Sequence, residues 1–513
     1  MLLSRRKVLT GAGVVGLGIA GFAARPLFRR RSGADTQAFK SPPLLDAPAS
    51  GGSASLRVQA GTTEFYSGKF SATLGYNGSY LGPTIRVRRG DSVRINVRND
   101  LAETTTVHWH GLIVPGPLDG GPHQPIGPGE TWRPLLPIDQ PAATLMYHAH
   151  VHGLTAEQVY RGLAGVLIIH DDDEQRLGLP HDYGVDDLPL VLQDRQFDEG
   201  LLVMPNSMMT LMQGRRGDII LVNGTPNPVA EVPPRLVRLR VVNASNARIY
   251  DLSFDDRRTF HWIAAEGGLL ERPVQLRSIR LAPGQRAELL VDFSNRRPVG
   301  LLTAADPNLG MMGMMRRARR DAVAGEPFIR FEPSAHAPRA ASVPKVLSPR
   351  KRVQRSAATQ RRRLVLNMGM GEMMGGGMIG DGMMGRGMMP REMSGDSRME
   401  AGPMAAPFGI NGRPFDMRRV DERVRLGETE IWEVSGEMMA HPIHIHGAHF
   451  EVLSRAGRAP QLLDQGLRDT ILVQEPVELL VKFTKPSAGS PFMYHCHILE
   501  HEDNGMMGQF TVE

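Results

Sequence analysis

The only cysteine of this 513-residue chain, Cys496, stands between His495 and His497 and is followed by His501 and Met506. A thiolate, an imidazole and a weak thioether are the donor set of a blue-copper electron-transfer site. A lone cysteine cannot form an intramolecular disulfide, so its sulfur is free to bind metal. Lone cysteines more often end as buried structural thiols, but the flanking histidines argue against that here. On an extended strand successive side chains leave on opposite faces, so Cys496 should point one way and His495 and His497 the other. One tripeptide would then join two metal sites.

Other segments supply the remaining donors. His441-Pro-Ile-His444-Ile-His446 offers one imidazole to the cysteine site and a spaced pair to a second site. Two more His-X-His pairs, His108-Trp-His110 and His148-Ala-His150, lie near the other end of the chain. One such pair is a weak signal, because exposed histidine pairs arise by chance. Four pairs, one of them split by the sole cysteine, are a strong signal for several adjacent metal ions.

In these four motifs the chain resembles the multicopper oxidases, and most of all the bacterial cuprous oxidases of copper tolerance. The resemblance implies four copper ions. His441, Cys496 and His501, with Met506 axial, would hold the type 1 copper. His108 and His444 would hold the type 2 copper, and His110, His148, His150, His446, His495 and His497 the two type 3 coppers. It also implies acids that serve the proton demand of O2 reduction, at Asp119 in Leu-Asp-Gly-Gly-Pro and at Glu502 beside His501. Asp119 has a competing reading as a turn residue, since Asp-Gly favours turns.

The steps around these motifs repeat. Thr84–Val97 alternates apolar and polar residues about Gly90-Asp91 and is predicted to form a half-buried hairpin. Similar patterns recur at 235–243 and 424–434, each followed by a second element at Pro128-Gly-Glu, Pro283-Gly-Gln or Pro476-Val-Glu. Three copies predict an all-β protein of three Greek-key β-sandwiches, which the resemblance makes cupredoxin-like. The expected divisions are a leader and linker at 1–40, a first domain at 41–175, a ligand-free second domain at 176–335 acting as a spacer, a basic linker at 336–363 and a third domain at 364–513. Eight imidazoles drawn from the first and third domains can meet only at the face those domains share.

The leader reads Ser4-Arg5-Arg6-Lys7-Val8-Leu9 before a glycine-rich apolar run, the pattern of a twin-arginine export signal. Export by that machinery to the periplasm is the expected localisation. Residues 1–31 carry seven basic side chains and no acid, so without them the net charge changes from +6 to −1. Nucleic acid is thereby excluded as a partner, and a monomer is expected.

Residues 368–404 hold 12 of the 28 methionines, set among glycines. Glycine at that density opposes a packed core, and thioethers select Cu(I) over harder ions. This insertion is read as a cuprous-ion carrier and a place for additional substrate copper. By resemblance, the substrate site would use Met368, Glu372, Glu437 and Met439, with glutamate where the relatives usually have aspartate. O2 and Cu(I) are the expected reactants of an exported cuprous oxidase. A laccase-like oxidase of phenols or aromatic amines, and a copper-storage protein without turnover, are the alternatives.

Overall fold

The computed structural model describes residues 37–48, 51–311, 321, 323–335, 342–349, 353–369 and 408–513. Strands form wherever alternation lets one face be buried. Along Ser92–Asn99, Val93, Ile95 and Val97 are fully buried while Ser92, Arg94 and Arg98 face solvent or the module rim. Among the described residues the strands make six sheets, which stack as three sandwiches. Each sandwich closes on its own apolar cluster.

The first module pairs a four-stranded sheet, Leu44–Asp46, Thr84–Arg88, Ala164–His170 and Ala143–His148, with a five-stranded sheet built on Ser53–Tyr66 and Ser92–Asn99. The middle module has a six-stranded sheet and an eight-stranded sheet, the latter centred on Asp187–Asp198, Leu236–Asn243 and Arg286–Asp292. The third places Gln360–Met368, Thr429–Gly436 and Val477–Phe483 in one sheet. Its second sheet holds Met507–Val512, Phe492–Cys496, His441–Ile445 and Thr470–Val473.

The predicted hairpin at Thr84–Val97 is not one. Thr84–Arg88 and Ser92–Asn99 lie in different sheets, and the turn at Gly90, with φ +94°, carries the chain across the sandwich. Their apolar sides face each other through the core, where Ile85 and Val87 share a cluster with Val93, Ile95 and Val97. The same crossing recurs at Ser278–Leu281 to Arg286–Asp292 and at Glu422–Val424 to Thr429–Gly436. Alternation reports that one face is buried and is silent about which sheet buries it.

Two predicted edges also move. Strand Gln360–Met368 starts inside the expected basic linker and runs parallel to Thr429–Gly436, with the Arg362 guanidinium paired to Glu430 at 2.6 Å and to Glu422. Gln37–Ala38, expected in the leader and linker, pairs parallel with Pro228–Val232 of the middle module.

A buried ionic network joins the first two modules directly behind the strand that ends in His148. Glu288 bonds Arg238 at 2.5 Å, Arg240 at 3.0 Å and the Thr144 hydroxyl at 2.7 Å, and Arg240 also holds Asp187 at 2.6 Å. Burial would raise the Glu288 carboxyl, but the two guanidiniums outweigh it and hold it below the usual range. Removing one member of such a set strands charge in a low-dielectric interior. Glu288→Ala should therefore cost about 3–5 kcal/mol of stability, and Glu288→Gln should cost less. Denaturant unfolding of the two variants checks this, and equal, near-wild-type midpoints would refute it.

Candidate metal centre

In all four His-X-His motifs the central residue points into its module's core. Trp109 and Ala149 lie in the first module's cluster, Ile445 and Cys496 in the third's. The outer histidines of each motif therefore share the other face. Within the first module His108 and His148 are bridged by reciprocal backbone bonds of 2.9 and 3.1 Å. Within the third, His444 and His495 are direct cross-strand partners. Each module thus presents four imidazoles on one patch, and the patches meet. His108 stacks on His446 with ring centroids 3.8 Å apart, and His110 on His444 at 3.6 Å.

The outer hydrogen bonds fix which nitrogen of each ring carries its proton. His108 Nδ1–H donates to the Asp119 carbonyl at 3.0 Å, His444 Nδ1–H to the Asp469 carbonyl at 2.9 Å, and His148 Nδ1–H to the Ala149 carbonyl at 2.8 Å. His446 Nδ1–H donates to the Asp119 carboxylate at 2.8 Å and His495 Nδ1–H to the Cys496 carbonyl at 3.1 Å. His110 reverses the pattern, turning Nε2–H outward to Asp469 at 3.1 Å. The inward nitrogens are then bare lone pairs that face one another. His108 Nε2 lies 3.3 Å from His444 Nε2, His446 Nε2 is 3.1 Å from His495 Nε2, and His110 Nδ1 is 3.4 Å from His148 Nε2. His497 is buried with neither ring nitrogen hydrogen-bonded.

Opposed lone pairs are repulsive without a cation between them, so these residues fit a cluster of metal ions. Burial pushes His110, His148, His150, His444 and His497 well below the ordinary imidazole range, and His446 to about 3. All six are neutral at pH 7, the state a metal ligand requires.

The sulfur site lies wholly in the third module. Cys496 Sγ is 3.5 Å from His441 Nδ1 and 3.7 Å from His501 Nδ1, and Met506 is fully buried in the same cluster. Both imidazoles turn Nε2–H away, His441 to the Glu437 carbonyl at 2.9 Å and His501 to the Met212 carbonyl at 3.2 Å. The Nδ1 lone pairs are thereby aimed at the sulfur. Burial pushes the Cys496 thiol well above its ordinary range. Copper(II) must displace that proton to bind, so affinity at this site should rise about tenfold per pH unit through neutrality. Titrating copper-free protein with copper at two pH values checks this, and a pH-independent affinity would mean a thiol already ionised.

Asp119 and Glu502 both lie against the imidazole cluster. Burial would raise the Asp119 carboxyl, but His446 and His108 hold it below the usual carboxylate range. Glu502 is buried between His495 Nδ1 at 3.0 Å and His150 Nδ1 at 3.3 Å. Its helix, Leu499–Asp503, turns His501 toward the sulfur site and Glu502 toward the cluster. Of the expected substrate residues, Met368 and Met439 are buried in the core cluster that holds Cys496. Glu437 is exposed and accepts the Met368 N–H at 3.2 Å. Glu372 and the rest of the insertion through residue 404 lie outside the described residues, as does the leader.

Sequence reading missed the part played by the middle module. Arg286 from that module grips the Asp469 carboxylate of the third through two bonds of 2.7 and 2.6 Å, and Asp469 in turn holds His110 of the first. Gly284 sits against the cluster at φ +82°, where a Cβ would come 2.8 Å from the His497 ring and 3.0 Å from that of His110. The module is more than a spacer. Gly284→Ala should lower copper occupancy of the imidazole cluster while leaving the blue colour of the sulfur site. Full copper content in that variant would refute the close-packing argument.

The family pattern of the multicopper oxidases matches three stretches of the chain, residues 57–174, 190–301 and 388–513. The chain is 35% identical to the multicopper oxidase Mco of Staphylococcus aureus over 463 residues, covering 89% of this chain and 88% of that one. This chain belongs to the multicopper oxidase family. It is an O2-reducing oxidoreductase with three cupredoxin-type domains, and its histidine and cysteine clusters are consistent with the type 1 and trinuclear copper sites of these enzymes. It is also 35% identical to the cell division protein FtsP of Xenorhabdus nematophila, over 100% of this chain and 99% of that one. Among solved structures it resembles CueO of Ochrobactrum sp., a laccase-like multicopper oxidase with oxidase activity towards lignin model compounds. That likeness has a TM-score of 0.80 and 37% identity, covering 92% of this chain and 100% of that one. Among the described residues no helix is long and apolar enough to cross a membrane.

Proposed function

We propose that the chain is an exported cuprous oxidase, which takes one electron at a time from Cu(I) and uses four to reduce O2 to water. The observation that carries this reading is the methionine-rich stretch at 368–404, whose first residue, Met368, is packed in the same core cluster as Cys496. Thioethers favour Cu(I) over harder ions. Met368, Glu372, Glu437 and Met439 are the proposed entry point, with the twin-arginine leader directing the protein to the periplasm.

In this reading His441, Cys496 and His501, with Met506 axial, hold the type 1 copper. His108 and His444 hold the type 2 copper, and the remaining six histidines the type 3 pair. Copper bound there would supply one-electron transfer at the sulfur site and O2 binding at the cluster. Cys496 and its peptide links to His495 and His497 provide the path between them. Asp119 and Glu502 hold and pass protons beside the imidazoles.

The relatives' names also support two other readings. Activity of the Ochrobactrum protein towards lignin model compounds favours a laccase-like use of phenols, and the kinship with FtsP favours a role in cell division. The opposed lone pairs of seven histidines speak against a role without turnover, since a non-catalytic protein has no need of such a cluster. O2 uptake with Cu(I) and with a bulky phenol, for the intact protein and a variant lacking residues 373–399, tests the choice. Loss of Cu(I) turnover on deletion, with phenol turnover held or raised, is the expected result. Preference for phenol in the intact protein, indifferent to the deletion, would overturn it.

A further inference from the structure

The short helix Met208–Gln213 belongs to the middle module yet lies against the sulfur site of the third. Ser207 caps it, its hydroxyl accepting the Thr210 N–H at 3.1 Å. Leu211 and Met212 pack on the apolar cluster that contains Cys496 and Met506. The Met212 carbonyl accepts Nε2–H of His501, so a single peptide group links this helix to a ligand of the sulfur site.

The outer residues of the helix are left in water. Met208 is 62% exposed and Met209 57%. Burying such side chains would gain about 1.5–3 kcal/mol each, so packing does not account for them. The spacing Met-Met-Thr-Leu-Met does suggest a purpose. At 3.6 residues per turn Met212 is an i+4 neighbour of Met208 and an i+3 neighbour of Met209, so the three thioethers share one face. That face runs from solvent at Met208 and Met209 to Met212, whose own carbonyl touches His501.

We propose that Met208, Met209 and Met212 form a second cuprous-ion site, separate from the insertion at 368–404, that holds Cu(I) at the His501 edge of the sulfur site. The proposal rests on Cu(I) being the electron donor. Three uncharged sulfurs suit a soft monovalent cation and discriminate against hard divalent ones. Copper held by His441, Cys496 and His501 would accept one electron from the bound Cu(I), with the Met212 carbonyl and the His501 imidazole as the link between the two sites. O2 is the final oxidant, four electrons and four solvent protons yielding two waters. The resulting Cu(II) is a harder ion, which thioethers hold poorly, and it leaves.

The test uses full-length, copper-loaded protein and its Met208→Leu/Met209→Leu variant, which keeps apolar volume and removes only sulfur. Ag(I) serves as a redox-inert probe, counted by calorimetry. Steady-state O2 uptake is measured with Cu(I) and with a bulky phenol. The variant should bind one Ag(I) fewer and show a KM for Cu(I) raised about three- to tenfold. Its kcat, its phenol kinetics and its blue colour should stay as in the parent. An unchanged Ag(I) count with unchanged KM would overturn the site. If the parent itself does not oxidise Cu(I), the reading of the donor fails, and the Ag(I) count alone then decides whether the site exists.

Discussion

Cys496→Ser should abolish the blue colour and lower turnover with every donor by at least about a thousandfold, while the protein still folds and retains roughly three coppers. A serine oxygen is a hard, weakly acidic donor and cannot replace a thiolate between two imidazoles. Cys496, with its sulfur against His441 and His501, is also peptide-bonded to the histidines on either side of it. The cluster has its own eight imidazoles, and the outward hydrogen bonds of His108, His148, His444, His446 and His495 do not involve the sulfur. Copper analysis with optical and kinetic measurements on the purified variant decides the matter. Loss of all the copper would mean that the two sites are not independent. Retained turnover would mean that electrons bypass Cys496.

The second large effect is expected at Asp469. Asp469→Ala removes the outer partner of His110 and leaves the Arg286 guanidinium buried without its bidentate carboxylate. Stranding that charge should cost about 3–5 kcal/mol, and loosening a ligand's outer partner typically costs about 10–100-fold in metal affinity. The defect should be confined to the imidazole cluster, because no bond of Asp469 reaches His441, Cys496 or His501. Arg286→Ala/Asp469→Ala should lose less stability than the two single variants added together, since the pair is removed whole. Unfolding midpoints and copper content of the three variants check both statements. Strict additivity, or loss of the blue colour first, would contradict them.

The two donor clusters were legible in the sequence because a period of two is a strong constraint. The alternation that sends Trp109, Ala149 and Ile445 into their cores sends Cys496 there too, so four motifs predict two separate sites. The acids were legible only through resemblance. Asp119 sits in an ordinary turn pattern, and nothing local shows that its carboxylate meets His446, 327 residues away. Asp469, Arg286 and Met212 were missed for the same reason. Asp469 meets Arg286 across 183 residues and Met212 meets His501 across 289. Such contacts follow from how modules dock, and single-chain periodicity carries no trace of docking. The false hairpin at Thr84–Val97 has a related origin, since two amphipathic strands bury the same pattern whether they lie side by side or face to face.

As a cuprous oxidase, the function proposed for it, this chain would couple Cu(I) oxidation to complete reduction of O2. The most direct measurement is the ratio of Cu(I) oxidised to O2 consumed by the copper-loaded enzyme, with peroxide assayed in the same vessel. Four Cu(I) per O2, no peroxide, and loss of the activity in Cys496→Ser are expected. Two Cu(I) per O2 with accumulating peroxide, or consumption no faster than with free copper, would contradict it.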